Sequence, residues 1–118
     1  MAVSAEFRDY VLELLEPLDR VQAKRIFGGA GLYLDGAIFA ILTDETVFLK
    51  VDDQNRGAFE AEGMPPFNPF KDDKRLIKSY SECPPRLLED SDALCDWART
   101  SWQAGRRVSA KKKLRNAQ

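Results

Sequence analysis

The residues best placed to do chemistry in this 118-residue chain lie in the stretch RIFGGAGLYLDG, Arg25 to Gly36, which holds four glycines. A glycine-rich turn can cradle a phosphate, but only where a helix follows directly and supplies free N–H groups and its dipole. Gly28, Gly29 and Gly31 run instead into the apolar, strand-like segment GLYL, and neither a G-x-G-x-x-G nor a G-K-[ST] pattern is present. The glycines are therefore expected to turn the chain and admit close packing. The chain contains no histidine, which removes the commonest general base and the usual zinc ligand. Its two cysteines, Cys83 and Cys95, have neither metal nor redox spacing, and read as free thiols in a reducing, cytoplasmic setting. Asp52-Asp53 and Asp72-Asp73 read as cap and loop residues rather than as a metal site. No catalytic set, metal or cofactor is expected.

Charge is the other candidate chemistry. The net charge of −1 hides an acidic body and a basic end. Residues 105–118 carry Arg106, Arg107, Lys111, Lys112, Lys113 and Arg115 and no acid. Those six could lie along nucleic-acid phosphates, with affinity falling with salt at a log–log slope of about −5 if all six engage. No aromatic residue is interleaved for base stacking. The plain alternative is a solvated, disordered tail, or one folded back on the acidic body. Lys50 offers an anion or partner contact beside a sheet, or merely a snorkelling stem at a strand end. Lys24 and Arg25 form a small positive patch, or Arg25 pairs with Asp35 across a hairpin. Trp97 and Trp102 fit a helical stripe of core residues, with a partner-binding patch as the alternative.

These residues need elements to hold them. Ser4 is the expected N-cap of a first helix whose Phe7, Val11, Leu14, Leu15 and Leu18 form one apolar stripe, ended by Pro17. Strands are expected at Val21–Phe27, Gly31–Leu34, Ala37–Leu42 and Val47–Val51, with Asp35-Gly36 as a type I′ hairpin turn and Asp44-Glu45 in a second turn. The two-residue turn pairs Leu34 with Ala37 and Leu32 with Phe39. One sheet face then holds Leu32, Leu34, Phe39, Ile41 and Phe48, joined by Lys50. The other holds Tyr33, Ile38, Ala40, Leu42, Val47, Leu49 and Val51, and a single bulge would exchange the two. A second helix is expected over residues 54–62, stopped by Gly63, followed by a proline-rich loop over residues 64–73 and a strand at Arg75–Ser81. A last helix is capped at Asp90 or Ser91 and ends at Gly105. The order α-β-β-β-β-α-β-α makes this an α+β domain over residues 1–104, an antiparallel meander with packed helices, followed by a basic, disordered tail over residues 105–118.

The assembled string resembles the amino-terminal domain of TfoX/Sxy proteins, bacterial regulators of competence genes. Arg25, Phe27, Gly28, Gly29, Gly31, Leu32, Tyr33, Asp35, Gly36, Phe39 and Ala40 match an R-x-F-G-G-x-G-L-Y-x-D-G-x-F-A signature, the last two one position further on than the pattern has them. Lys50, Asn55, Phe59, Gly63, Pro66, Phe67, Ser79, Tyr80 and Pro84 match the later blocks, so the resemblance spans about residues 4 to 104. It implies an antiparallel α+β domain and a non-enzymatic, regulatory role in transcription, exerted through a protein partner such as a DNA-binding activator. It carries over no catalytic residues. Full-length regulators of this type continue into a second, helical domain, whereas this sequence stops after its basic end. Nucleic-acid contact through that end is the alternative function. Apolar residues on both sheet faces suggest a homodimer, and no membrane contact is expected.

Overall fold

The computed structural model describes residues 2–26, 28–69 and 76–116, with side chains through residue 112. It is an α+β fold in which a six-stranded antiparallel sheet, ordered β1-β2-β3-β4-β6-β5, is packed by helices. The elements are α1 (Ala5–Leu14), β1 (Gln22–Ile26), β2 (Gly29–Leu34), β3 (Ala37–Thr43), β4 (Thr46–Lys50), α2 (Arg56–Ala61), β5 (Pro66–Phe67), β6 (Ile77–Glu82) and α3 (Ser91–Asn116), with single 3₁₀ turns at Glu16–Leu18 and Pro85–Glu89. Ser4 caps α1 as expected, its Oγ accepting from the Phe7 N–H at 3.1 Å. The short strand β5 lies inside the segment expected to be a proline-rich loop. Phe27 and Asp72-Asp73 lie outside the described residues.

The two hairpin turns follow from backbone conformations that their residues tolerate. Asp35 and Gly36 have φ of 48° and 81°, and Asp44 and Glu45 have 52° and 55°, so both central residues of each turn are left-handed, as a two-residue turn requires. Leu34 pairs with Ala37 as the turn dictates.

Beyond the turn the register departs from expectation. Leu32 pairs with Ala40, not Phe39, because β3 bulges by one residue opposite Leu32/Tyr33. Every later side chain on β3 and β4 changes side. Leu32, Leu34 and Phe39 therefore share the helix-covered face with Ala40, Leu42, Val47, Leu49 and Val51. Ile41 and Phe48 turn to the opposite face, where they meet Ile38, Phe67, Ile77 and Tyr80. The bulge thus makes a single core of the residues that a regular ladder would have divided.

Helix α3 lies across this core, against β3 and β4. Leu94, Ala98, Ser101 and Ala104 are all within 1% of complete burial. The stripe shrinks from Leu to Ala and Ser towards the C-terminal side, so the helix approaches the strands closely there. Gly105 does not end the helix, which runs on to Asn116. A Cβ on Gly105 would sit 2.4 Å from the Ile38 carbonyl oxygen. The glycine is there for the helix–strand contact and not for a left-handed cap. Residues 105–116, expected to be a disordered tail, are helical.

Candidate functional site

Among its described residues, the glycine stretch holds no cradle. Gly28, with φ of 82°, turns the chain, and β2 begins at the next residue. Gly29 lies against β3, where a Cβ would stand 2.2 Å from the Leu42 carbonyl oxygen. Gly31 faces Ile26, Tyr33 and Ile38, with 3.1–3.3 Å left for a Cβ. Gly28, Gly29, Gly31, Asp35 and Gly36 are scaffold: two shape turns, two permit close packing, and Asp35 sits in the hairpin. No ion pair between Arg25 and Asp35 forms among the described residues; Lys24 instead lies 5.1 Å from the centre of the Tyr33 ring.

The basic segment is divided by the fold. The Arg107 guanidinium donates to both carboxylate oxygens of Asp52, at 2.5 and 2.9 Å. That pair holds the Asp52 carboxyl down at about 2, chiefly through the hydrogen bond from Arg107. Arg106 lies 4.9 Å from the centre of the Trp102 ring, and Trp102 donates its indole N–H to the Leu34 carbonyl at 2.8 Å. Two of the six expected nucleic-acid contacts are thus engaged within the molecule. Lys111 and Lys112 remain exposed, while the side chains of Lys113 and Arg115 lie outside the described residues.

Arg107 and Lys111, with Asp52, Asp53, Arg56 and Lys78, line a cleft of 470 Å3 between the end of α3, the turn before α2, and β6. Asp52 does not cap α2. Its carboxylate accepts from the Gln54 N–H at 3.0 Å, and Asn55 occupies the N-cap position, donating to the Lys50 carbonyl. The cleft walls carry both signs of charge, and most of that charge is internally paired.

The opposite sheet face differs. No described helix covers it. The row at one end holds two pairs, Tyr33 with Ile38 and Lys50 with Tyr80. The next row holds Ile41 and Phe48, the Phe48 ring lying 4.4 Å from that of Phe67. The Lys50 ammonium lies 4.5 Å from the centre of the Tyr80 ring. Burial first, and Lys112 second, pull Lys50 below the ordinary lysine range. Burial first, and the neighbouring Tyr33 second, push the Tyr80 phenol up to about 12. Lys50 was legible as a candidate in the sequence. Tyr33 and Tyr80 were legible only as positions in motif blocks, because strand pairing alone brings them together.

Both cysteines are buried, at 4% and 2% exposure for Cys83 and Cys95. Burial, followed by the negative charge of Glu82, pushes Cys83 up to about 12, and burial also raises Cys95. The thiolate is the nucleophile, so neither group reacts readily at neutral pH. Labelling with a water-soluble disulfide reagent at pH 7.5 is expected to modify neither thiol in the native protein and both after denaturation. Rapid native labelling of Cys83 would contradict its burial.

Among the described residues, no group of three or more acidic or cysteine side chains is placed to hold a metal ion, and no helix is long and apolar enough to cross a membrane. Trp97 is half-buried, its ring meeting Phe59 edge-on at 5.0 Å. Both tryptophans thus serve packing at the flanks of α3, as the helical spacing indicated.

A comparison with curated proteins finds no match. Comparison with protein families matches residues 13–105 to the TfoX N-terminal domain, a span that includes the glycine hairpin, the bulged strand, the Lys50–Tyr80 row and α3 as far as its contact with Ile38. The chain belongs to the TfoX N-terminal domain family.

Proposed function

We propose that this chain is a non-enzymatic, cytoplasmic regulatory module that assists transcription, as in competence-type regulation, through contacts with a protein partner. Family membership supports a TfoX-like module. The observation that carries the contact reading is the sheet face without a helix, where Phe48, Ile38 and Ile77 remain partly exposed around buried Ile41 and Phe67. Apolar groups grouped on one open face, ringed by polar residues, mark an interaction surface. A tagged full-length chain is expected to recover a DNA-binding activator or RNA polymerase subunits from a native lysate, and Phe48→Glu to lose them while keeping its melting temperature within about 3 °C. Equal recovery by both proteins would move the contact elsewhere. Recovery of no transcription protein would overturn the reading. Light scattering on the same samples tests whether the partner is a second copy.

A second reading is weak, unspecific nucleic-acid binding through the basic end of α3. The exposure of Lys111 and Lys112 on a continuous helix favours it. With Arg106 and Arg107 engaged internally, the salt slope is expected to be shallower than the −5 or so of six free cations. Gel shifts across salt should weaken in a Lys111→Glu/Lys112→Glu variant; unchanged binding would eliminate this route.

A further inference from the structure

Four segments distant in sequence bring cations and phenols to one end of the open sheet face. Strand β2 supplies Tyr33, the end of β4 supplies Lys50, and β6 supplies Tyr80 directly opposite Lys50. The last turns of α3 supply Lys112. They reach this end because Gly105 lets the helix pass against Ile38, with the Lys50 stem 4.0 Å from where a Cβ would stand. Lys24 flanks the group on the far side of Tyr33. Among the described residues no carboxylate forms an ion pair with Lys24, Lys50 or Lys112, whereas Arg56, Arg86, Arg99 and Arg107 each have one. Among the described residues on this face, Glu82 lies a row further on, opposite Phe48, and the Asp52 carboxylate two residues from Lys50 is taken by Arg107. A half-buried ammonium facing another cation is costly, and an anion between them removes the cost. Among the described residues, neither phenol hydroxyl donates a hydrogen bond, and each can act as a donor.

We propose that Lys50, Lys112, Tyr33 and Tyr80 form a binding site for a phosphoryl group, either free or within the backbone of a single-stranded nucleic acid. Two ammoniums and two phenols offer donors from several directions, and a tetrahedral oxyanion has acceptors enough for all of them. The partly exposed Phe48 ring, one row away, is placed to stack on a base if the phosphate belongs to a polymer. The site shares only Phe48 with the proposed partner contact, and the binding of a free phosphoryl group does not involve that ring.

The test is an amide NMR titration of the full chain with inorganic pyrophosphate, with a twelve-nucleotide deoxythymidine strand and, as a third probe, with a glutamate-rich peptide. Saturable shifts centred on residues 33, 50, 80 and 112 are expected with a phosphate probe. Lys50→Gln should weaken that binding at least tenfold without lowering the melting temperature, since it removes an unpaired half-buried charge; Tyr80→Phe should weaken it severalfold. Tighter binding of the oligonucleotide than of pyrophosphate identifies a polymer ligand, and the reverse a free one. Saturation by the peptide alone, shifts confined to residues 106–111, or equal binding by Lys50→Gln would each overturn the proposal.

Discussion

Gly105→Ala is expected to lower stability by about 3 kcal/mol, close to the upper range for forcing extra volume into a packed interior. For a domain of this size that is a fall in melting temperature of about 10 °C. The added Cβ would stand 2.4 Å from the Ile38 carbonyl oxygen, which belongs to the backbone of β3 and cannot swing aside. In an exposed helix the same change would gain about 1 kcal/mol, because alanine is the better helix former. The sign of the result therefore decides between a glycine kept for close approach and one on an open helix surface, and its size separates close approach from a helix stop. If Gly105 were a left-handed helix stop, alanine would cost only about 1 kcal/mol in thermal melts. The helix must lift from β3 to admit the methyl, and Ala104 and Ser101, fully buried beside it, would lose contact too. Gly29→Ala tests the same principle on β2, where the clash is with the Leu42 carbonyl oxygen.

The misreading of Gly105 shows what sequence can and cannot display. A glycine after an apolar stripe and before a run of cations looks like a C-cap, because capping is a local effect with a local signature. Close approach to a strand nearly 70 positions earlier leaves no local signature. The same division runs through the fold. Both hairpin turns, the Ser4 cap and the left-handed stop at Gly63 were legible because each rests on neighbouring residues. The bulge in β3 was not, since Ile38 and Phe39 are as compatible with a regular ladder as with an irregular one. What selects the bulge is the core. It places Phe39, Ala40 and Leu42 together under α3, where a regular strand would have split them. Sequence alone could state that one inserted residue would exchange the faces, but not whether it occurs.

The open face follows from that exchange. Lys50 was identifiable as a charge in an apolar strand, and the structure keeps it beside Ile41 while moving Phe39 away to the core. Tyr33 and Tyr80 come beside it only through pairings β2–β3 and β4–β6, the second spanning the whole of α2 and the loop after it. The basic end gave the opposite lesson. Composition counted six equivalent cations, but the fold gives Arg107 to Asp52 and Arg106 to Trp102. A cation's availability is a property of its neighbours, and these neighbours lie far away in the chain.

Asp52→Asn is expected to cost about 2 kcal/mol at pH 7 and to remove most of the stability change between pH 4 and pH 2, because an Asp lowered by nearly two pKa units in the folded state contributes about that much. The side chain is 18% exposed, so the pair is screened less than a surface one. Asparagine keeps an oxygen for the Gln54 N–H and loses the charge that Arg107 meets in two hydrogen bonds. The sign follows from the direction of the shift. Asp52 titrates at about 2 when folded against an ordinary 3.8, so the unfolded chain takes up the proton first. The contribution is complete above about pH 4 and is lost as pH falls towards 2. Denaturant melts of wild type and Asp52→Asn at pH 7, 4, 3 and 2 should therefore converge at the acid end. Removing the carboxylate also leaves Arg107 beside Arg56, Lys78 and Lys111 in the same cleft. The repulsion falls on the last turns of α3, so Asp52→Asn should speed amide exchange beyond residue 107 more than in the core, and Arg107→Met in the same chain should recover part of the loss. Parallel curves at every pH would mean that Arg107 does not hold Asp52 in solution, and that the basic end of α3 is fastened to the domain by Gly105 alone.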